Sequence, residues 1–113
     1  MDFRQRDIVL INFPFTDLSA TKLRPAIILS SDNVNRKGDF ICVQITSQVW
    51  TDESFFTLTP EMLETSLALN SGVRAHKIFC LHEKLILHKV SAMKPVAFLQ
   101  LLNFINKVVF AIG

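Results

Sequence analysis

Phe40-Ile41-Cys42-Val43-Gln44-Ile45-Thr46 is the stretch that decides the fold. Its side chains alternate, with Ile41, Val43 and Ile45 on one side and Cys42, Gln44 and Thr46 on the other, which predicts a half-exposed strand. Upstream, Pro25 to Ser30 is a short apolar run holding Ala26, Ile27, Ile28 and Leu29, followed by the turn-forming residues 31–38. It is too short for a helix and predicts a second strand. Before it, Ile8 to Phe13 is an apolar run ended by Pro14 and the polar residues 16–22, a strand and then a loop. Downstream, Ser54 to Thr59 predicts a strand, and Pro60-Glu61 opens one helical turn. Val73 to Leu81 and Leu85 to Val90 predict two more strands around a turn at His82 to Lys84. Pro95 suits the first position of a closing helix, and Val96 to Phe110 carries a broad apolar face. Short strands about ten residues apart, with one terminal helix, predict a mainly β fold: a small, strongly curved antiparallel barrel with a C-terminal α-helix.

At 113 residues the chain fits one domain, residues 1–113, with no repeat or linker to divide it. Half of the residues are apolar, ten are Phe and three are Gly, which excludes a disordered chain. Only 19% are charged and the mean hydropathy is +0.34, high for a small domain. That surplus implies apolar surface covered by a partner or a second copy. A net charge of +2 and a pI of about 8.7 permit contact with a polyanion without requiring it. Cys42 and Cys80 lie in apolar runs and form no CxxC pair, so both are expected to be reduced core thiols. Met1 to Asp7 is charged and lacks the apolar core of a signal peptide, so a cytoplasmic setting is expected. Residues 95–113 are nearly continuous in apolar character, but Gln100, Asn103, Asn106 and Lys107 form one polar stripe on a helix, against a membrane span.

The common catalytic signatures are missing: there is no P-loop, GxSxG elbow, HExxH or dinucleotide fingerprint. His76, His82 and His88 are six apart, but a turn near His82 separates them, so no metal site is expected. Asp7, Asp17, Asp32, Asp39 and Asp52 fall at strand ends and in loops, where turn and cap duty is common. Arg24 remains, biased to an extended backbone at a strand mouth by the following Pro25. Thr46 also remains, at the end of its strand. Taken singly, Arg24 reads as a solvated surface charge and Thr46 as an ordinary strand residue.

Three segments act together: Asp7-Ile8-Val9-Leu10-Ile11-Asn12-Phe13, Lys22-Leu23-Arg24-Pro25-Ala26-Ile27-Ile28-Leu29-Ser30 and Ile45-Thr46-Ser47-Gln48. In order and spacing they resemble the MazF/PemK family of toxin ribonucleases, and weaker likeness continues through Ser71 to Lys77 into the last helix. The resemblance implies an SH3-like barrel. It also implies a type II toxin that cleaves single-stranded RNA, needs no cofactor or metal, acts as a homodimer and is neutralised by a cognate antitoxin. It makes Arg24 and Thr46 the catalytic residues, Arg24 as the cation at the phosphate and Thr46 as a positioning hydroxyl. RNA contacts are then expected from Phe15, Thr16, Lys22, Ser47, Gln48, Arg74, His76 and Lys77. Phe13 and Phe15 suit stacking on bases or a core, the core being favoured for Phe13 because it ends its strand, and Arg74, His76 and Lys77 suit RNA contact or a solvated strand edge. Two departures bear on loop shape: Arg6 and Ala20 stand where the family commonly has glycine, and at Arg6 the turn must form without glycine's freedom at positive φ. The competing reading is a non-enzymatic toxin of the same fold, a CcdB-like gyrase inhibitor, which does not use the Arg and Thr pair, or an inactive nucleic-acid-binding relative.

Overall fold

Ile8 and Val9, Ile27 and Ile28, and Cys42 and Val43 are adjacent pairs in which both members are fully buried. Neighbours on a strand point to opposite faces, so the sheet they form is covered on both. The computed structural model describes residues 3–14, 21–68 and 70–113. Six strands form one antiparallel sheet: β1 (Asp7–Pro14), β2 (Thr21–Ile28), β3 (Asp39–Thr46), β4 (Phe55–Leu58), β5 (Ser71–His82) and β6 (Ile86–Ala92). Their order across the sheet is β4-β5-β3-β2-β1-β6. A four-residue helix, α1 (Asp32–Asn35), sits between β2 and β3, and α2 (Pro95–Val108) closes the described fold; 3-10 turns at Pro60–Met62 and Glu83–Leu85 complete the elements.

One face of the sheet packs on α2. Ala97, Phe98, Leu101 and Ile105 of the helix are buried with Ile8, Ile27, Val43, Ile45, Val73 and Met93. The Phe104 ring meets Phe56 edge-on, with centroids 5.3 Å apart. Gln100, Asn103, Asn106 and Lys107 are exposed on the opposite side of the helix, as their spacing predicts. The other face curls over its own core of Val9, Ile11, Ala26, Ile28, Phe40, Cys42, Leu81 and Ile86. That curl follows from connectivity. Three strands lie between β5 and β6 in the sheet, yet a single 3-10 turn joins them in the chain, so the sheet must bend to bring them together.

The mainly β fold with a C-terminal helix is thus as expected, but the sheet is not closed into a barrel: β4 and β6 are its two edges and share no ladder. A lone bridge between Leu63 and Met93, with the Glu64 amide donating to the Ala92 carbonyl (2.9 Å), ties the segment after the first 3-10 turn to the end of β6. The half-exposed reading of β3 is corrected as well. Phe40 and Cys42 are buried in the second core while Ile41 is exposed, because the curl covers the face that alternation assigned to solvent. Cys80, paired across from Ile41, is exposed and not a core thiol.

The turn before β1 keeps the conformation that glycine would favour: Arg6 has φ 81° and is the one non-glycine residue with positive φ among those described. Its amide donates to the Ile28 carbonyl (2.9 Å) and its guanidinium to the Met93 carbonyl (2.8 Å), so bonds at both ends hold it there. After α1, Gly38 (φ 95°) makes the reversal into β3. The buried Asn35 fixes that loop through reciprocal hydrogen bonds with Ser30.

Candidate functional site

β2 and β3 run side by side with Ile28 opposite Cys42, Ile27 opposite Val43 and Ala26 opposite Gln44. The same register, carried two residues further, sets Arg24 across from Thr46. The ladder stops short of that point although both strands continue, and Pro25 supplies the reason. Leu29 donates its amide to the Ile41 carbonyl (2.8 Å), so odd-numbered amides along this stretch face β3. Pro25 is one of those positions and has no amide hydrogen. Even-numbered residues bond toward β1, which is why β2 stays paired there as far as Thr21 opposite Pro14. The strand expected to begin at Pro25 therefore begins at Thr21, with the proline inside it.

Where β2 and β3 part, a cleft of about 450 Å³ opens. Arg24, Thr46, Ser47, Ser66 and Ser71 are its polar lining, and Leu23, Pro25, Ile45, Leu67, Ala68 and Val90 its apolar lining. Arg24 is half-buried, with its Nε shielded from solvent. A guanidinium beside apolar walls is screened less than one in open water and acts more strongly on a nearby anion. The Thr46 hydroxyl accepts the Gln48 amide at 3.1 Å. That bond fixes the side chain and occupies an oxygen lone pair, leaving the hydroxyl proton available to a ligand oxygen. The cleft can therefore present a planar cation and an oriented hydroxyl to one phosphate-sized group.

Among the other sequence-predicted residues, Ser47 is exposed and lines the cleft. Gln48 is exposed beside it, holding Thr46 through its backbone. Arg74, His76 and Lys77 lie apart from the cleft lining, where β5 departs from its register with β3: the four residues from Arg74 to Lys77 stand against Gln44 alone. Arg74 is buried. Its guanidinium lies 3.8 Å from the centroid of the Trp50 ring, 3.6 Å from the Asp52 carboxylate and 3.3 Å from His76 Nε2. An arginine can only donate, so Nε2 is the acceptor in that last contact. The Asp52 carboxylate also accepts the Ser54 hydroxyl (2.7 Å) and amide (3.0 Å). The Ser54 hydroxyl is the largest influence on this carboxyl and desolvation, which opposes it, the second; with the Ser54 amide and the Arg74 charge added, the carboxyl is held below its ordinary range. His76 and Lys77 are exposed. Phe15, Thr16 and Ala20 lie outside the described residues, as do the side chains of Phe13 and Lys22.

Two features were not anticipated from sequence. The wall formed by residues 66–68 carries no motif, and only the folded chain brings it to Arg24. Trp50, which holds Arg74, did carry a signal as the single tryptophan of the chain, set in a polar stretch. Among the described residues no three His, Cys, Asp or Glu side chains gather into a metal-binding group, and no helix is long and apolar enough to cross a membrane. Two other hollows, of about 390 and 370 Å³, lie around Arg4, Asp32 and Asn33, away from the Arg24 cleft.

Among solved structures, the chain resembles an endoribonuclease in complex with its cognate antitoxin from a mycobacterial species, at 17% identity and a TM-score of 0.76, with 98% of each chain covered. It also resembles the MazE–MazF complex of Deinococcus radiodurans (15% identity, TM-score 0.79, 99% of each chain). The Mycobacterium tuberculosis toxin MazF-mt6 is a third likeness (15% identity, TM-score 0.75, 96% of this chain and 100% of that one). At such identities the likeness establishes the fold. No curated protein sequence matches the chain. Its residues 4–109 match the family model of the PemK-like, MazF-like toxins of type II toxin–antitoxin systems, and since that span is nearly the whole chain, the protein belongs to that family.

Proposed function

We propose that this toxin is an endoribonuclease that cuts single-stranded RNA without a metal ion, by attack of a ribose 2′-hydroxyl on the adjacent phosphodiester. The observation that carries the proposal is that Arg24 and Thr46, from different strands, line one cleft. In the reaction the 2′-hydroxyl gives up its proton as its oxygen bonds to phosphorus, the bond from phosphorus to the 5′-oxygen breaks, and that oxygen takes up a proton, so the protons balance and the ends are a 2′,3′-cyclic phosphate and a 5′-hydroxyl. Negative charge gathers on the non-bridging oxygens at the transition state, where a positioned cation and donor act most strongly. Arg24 is assigned the paired contact to two such oxygens, for which its fork is shaped, and Thr46 the donation that fixes the phosphate.

The RNA strand is proposed to continue from the cleft over Ser47 and Gln48 and along the exposed His76 and Lys77, with Lys22, Thr16 and Phe15 as further contacts. Arg74, committed to Asp52 and Trp50, is assigned to holding the 47–54 segment in place. Val96, Leu99 and Phe110 remain exposed along and after α2, which supports a homodimer that covers them. The antitoxin is proposed to compete with RNA for the Arg24 cleft, and a cytoplasmic setting is proposed with it.

The test is to incubate the purified protein with single-stranded RNA in excess EDTA and map the ends. Fragments with 5′-hydroxyl termini are expected, and Arg24→Ala is expected to slow their appearance by about 100-fold or more. Intact RNA, equal cleavage by Arg24→Ala, or topoisomerase inhibition without RNA loss would overturn the assignment.

A further inference from the structure

We infer that Trp50 is a stacking platform for an unpaired base of the bound RNA, next to the cleft but outside it. The inference rests on the nuclease reading. Trp50 follows β3 by four residues and is 38% exposed, and its neighbour Val49 is 73% exposed, so two apolar side chains stand in water in a segment that no core needs. Among the described aromatic residues, Phe40 and Phe98 are buried in the two cores, while Phe110, beyond α2, is exposed. Trp50 is nevertheless held: the Arg74 guanidinium lies over its ring at 3.8 Å, and Arg74 is itself fixed by Asp52 and by burial. Asp52 is braced in turn by the Ser54 hydroxyl and amide. An exposed aromatic surface with its orientation set in advance loses little freedom on binding.

The occupant follows from position and charge. Gly72 of β5 pairs with Thr46, and Arg74 lies two residues further along the same strand, about 7 Å away. A strand whose phosphate sits between Arg24 and Thr46 therefore reaches the Trp50 platform within its next nucleotides. Asp52 balances the Arg74 charge, so the platform offers a π-face rather than a phosphate site, while His76 and Lys77, both exposed just beyond, supply the flanking positive charge. Every base has a face to stack, and duplex RNA keeps those faces covered, so the platform selects single strands without reading sequence.

Trp50 is the single tryptophan of the chain, so its emission reports on this position alone. The experiment titrates full-length protein with a mixed-sequence 2′-O-methyl oligoribonucleotide, which lacks the attacking hydroxyl and stays intact, and follows tryptophan emission together with anisotropy of a dye on the oligonucleotide. Emission is expected to be quenched along the binding curve with the single strand and to stay constant with the duplex. Trp50→Leu is expected to weaken binding by about 5- to 150-fold, the worth of one base–aromatic stack, with Trp50→Phe recovering most of it. The dependence of affinity on salt is expected to keep its slope, since no phosphate contact is removed. Rising anisotropy with unchanged emission, or Trp50→Leu binding as tightly as the parent, overturns the inference. If unmodified RNA is still cut in that case, the nuclease reading stands and the exposed surface belongs to a protein partner; if no oligonucleotide binds and no RNA is cut, both readings fall together.

Discussion

Replacing Pro25 by alanine isolates the feature that makes the cleft. The substitution restores an amide hydrogen at a position whose backbone faces β3, where the Ile45 carbonyl lies next in register. One added ladder bond contributes about 0.5–1.5 kcal/mol to stability. Losing the proline's restriction of the unfolded chain costs about 0.4–1 kcal/mol. The two oppose each other, so the melting temperature is expected to move by only a few degrees in either direction. Activity has no such compensation. Zipping the strands one step further draws together the two walls that carry Arg24 and Thr46, and a displacement of about 1 Å at a reacting centre costs on the order of 100-fold in rate. Pro25→Ala is therefore expected to keep its stability and lose roughly 10- to 100-fold in single-turnover cleavage of a labelled oligoribonucleotide. Amide hydrogen exchange read by NMR completes the assay, with the new amide at position 25 expected to be protected. A protected amide together with parental cleavage would refute the link between the open ladder and the chemistry. An amide that exchanges at the solvent rate would refute the proline as the cause of the opening.

Other consequences are tested more briefly. Thr46→Val keeps the shape, removes the hydroxyl and strands the Gln48 amide, so cleavage is expected to fall by about 100- to 1000-fold while Thr46→Ser stays within about tenfold; equal rates for Val and Ser would remove the hydroxyl from the mechanism. Burial foremost, with the nearby Cys80 second, pushes the Cys42 thiol up to about 12, whereas Cys80 is exposed. A thiol reagent at pH 8 should thus label one cysteine in the native protein and two after denaturation, and two rapid native equivalents would contradict the buried position. The Asp52 carboxyl is held below its ordinary value of 3.8, so its hold on Arg74 is complete at neutral pH and is lost as the pH falls below that value. Trp50 emission should stay level from pH 7 to about pH 4 and change only below it, and a transition already complete at pH 6 would show that Asp52 does not set the ring's position. Leu101→Ala, in the fully buried center of the α2 contact, is expected to cost about 2–5 kcal/mol in urea unfolding, and a loss under about 1 kcal/mol would mean that α2 packs loosely on the sheet.

How far the sequence could be read depends on the range of each interaction. Strand and helix positions were legible because a strand's period and a helix's polar stripe are local, and β3 and α2 lie where the pattern puts them. Pro25 shows where local reading stops. Its effect was recognised as a boundary, but a proline blocks only the neighbour its nitrogen faces, and which neighbour that is depends on strand pairing that no local pattern states. The same proline lies within the β1–β2 ladder and ends the β2–β3 ladder. The burial of Phe40 and Cys42 was hidden for a related reason: alternation distinguishes two faces of a strand, but it cannot tell that the second face will be covered when a short link draws β5 toward β6. Arg24 and Thr46 were singled out by resemblance, and the register supplies a physical ground for pairing them, since residues far apart in the chain become neighbours across strands once Ala26 meets Gln44. Arg74, read as one cation in a basic run, stands on folding beside Trp50 and Asp52, which lie more than twenty residues upstream and which no local pattern joins to it. Charge counted along a sequence therefore marks candidates for phosphate contact, and only the ion pairs formed on folding decide which of them still face a ligand.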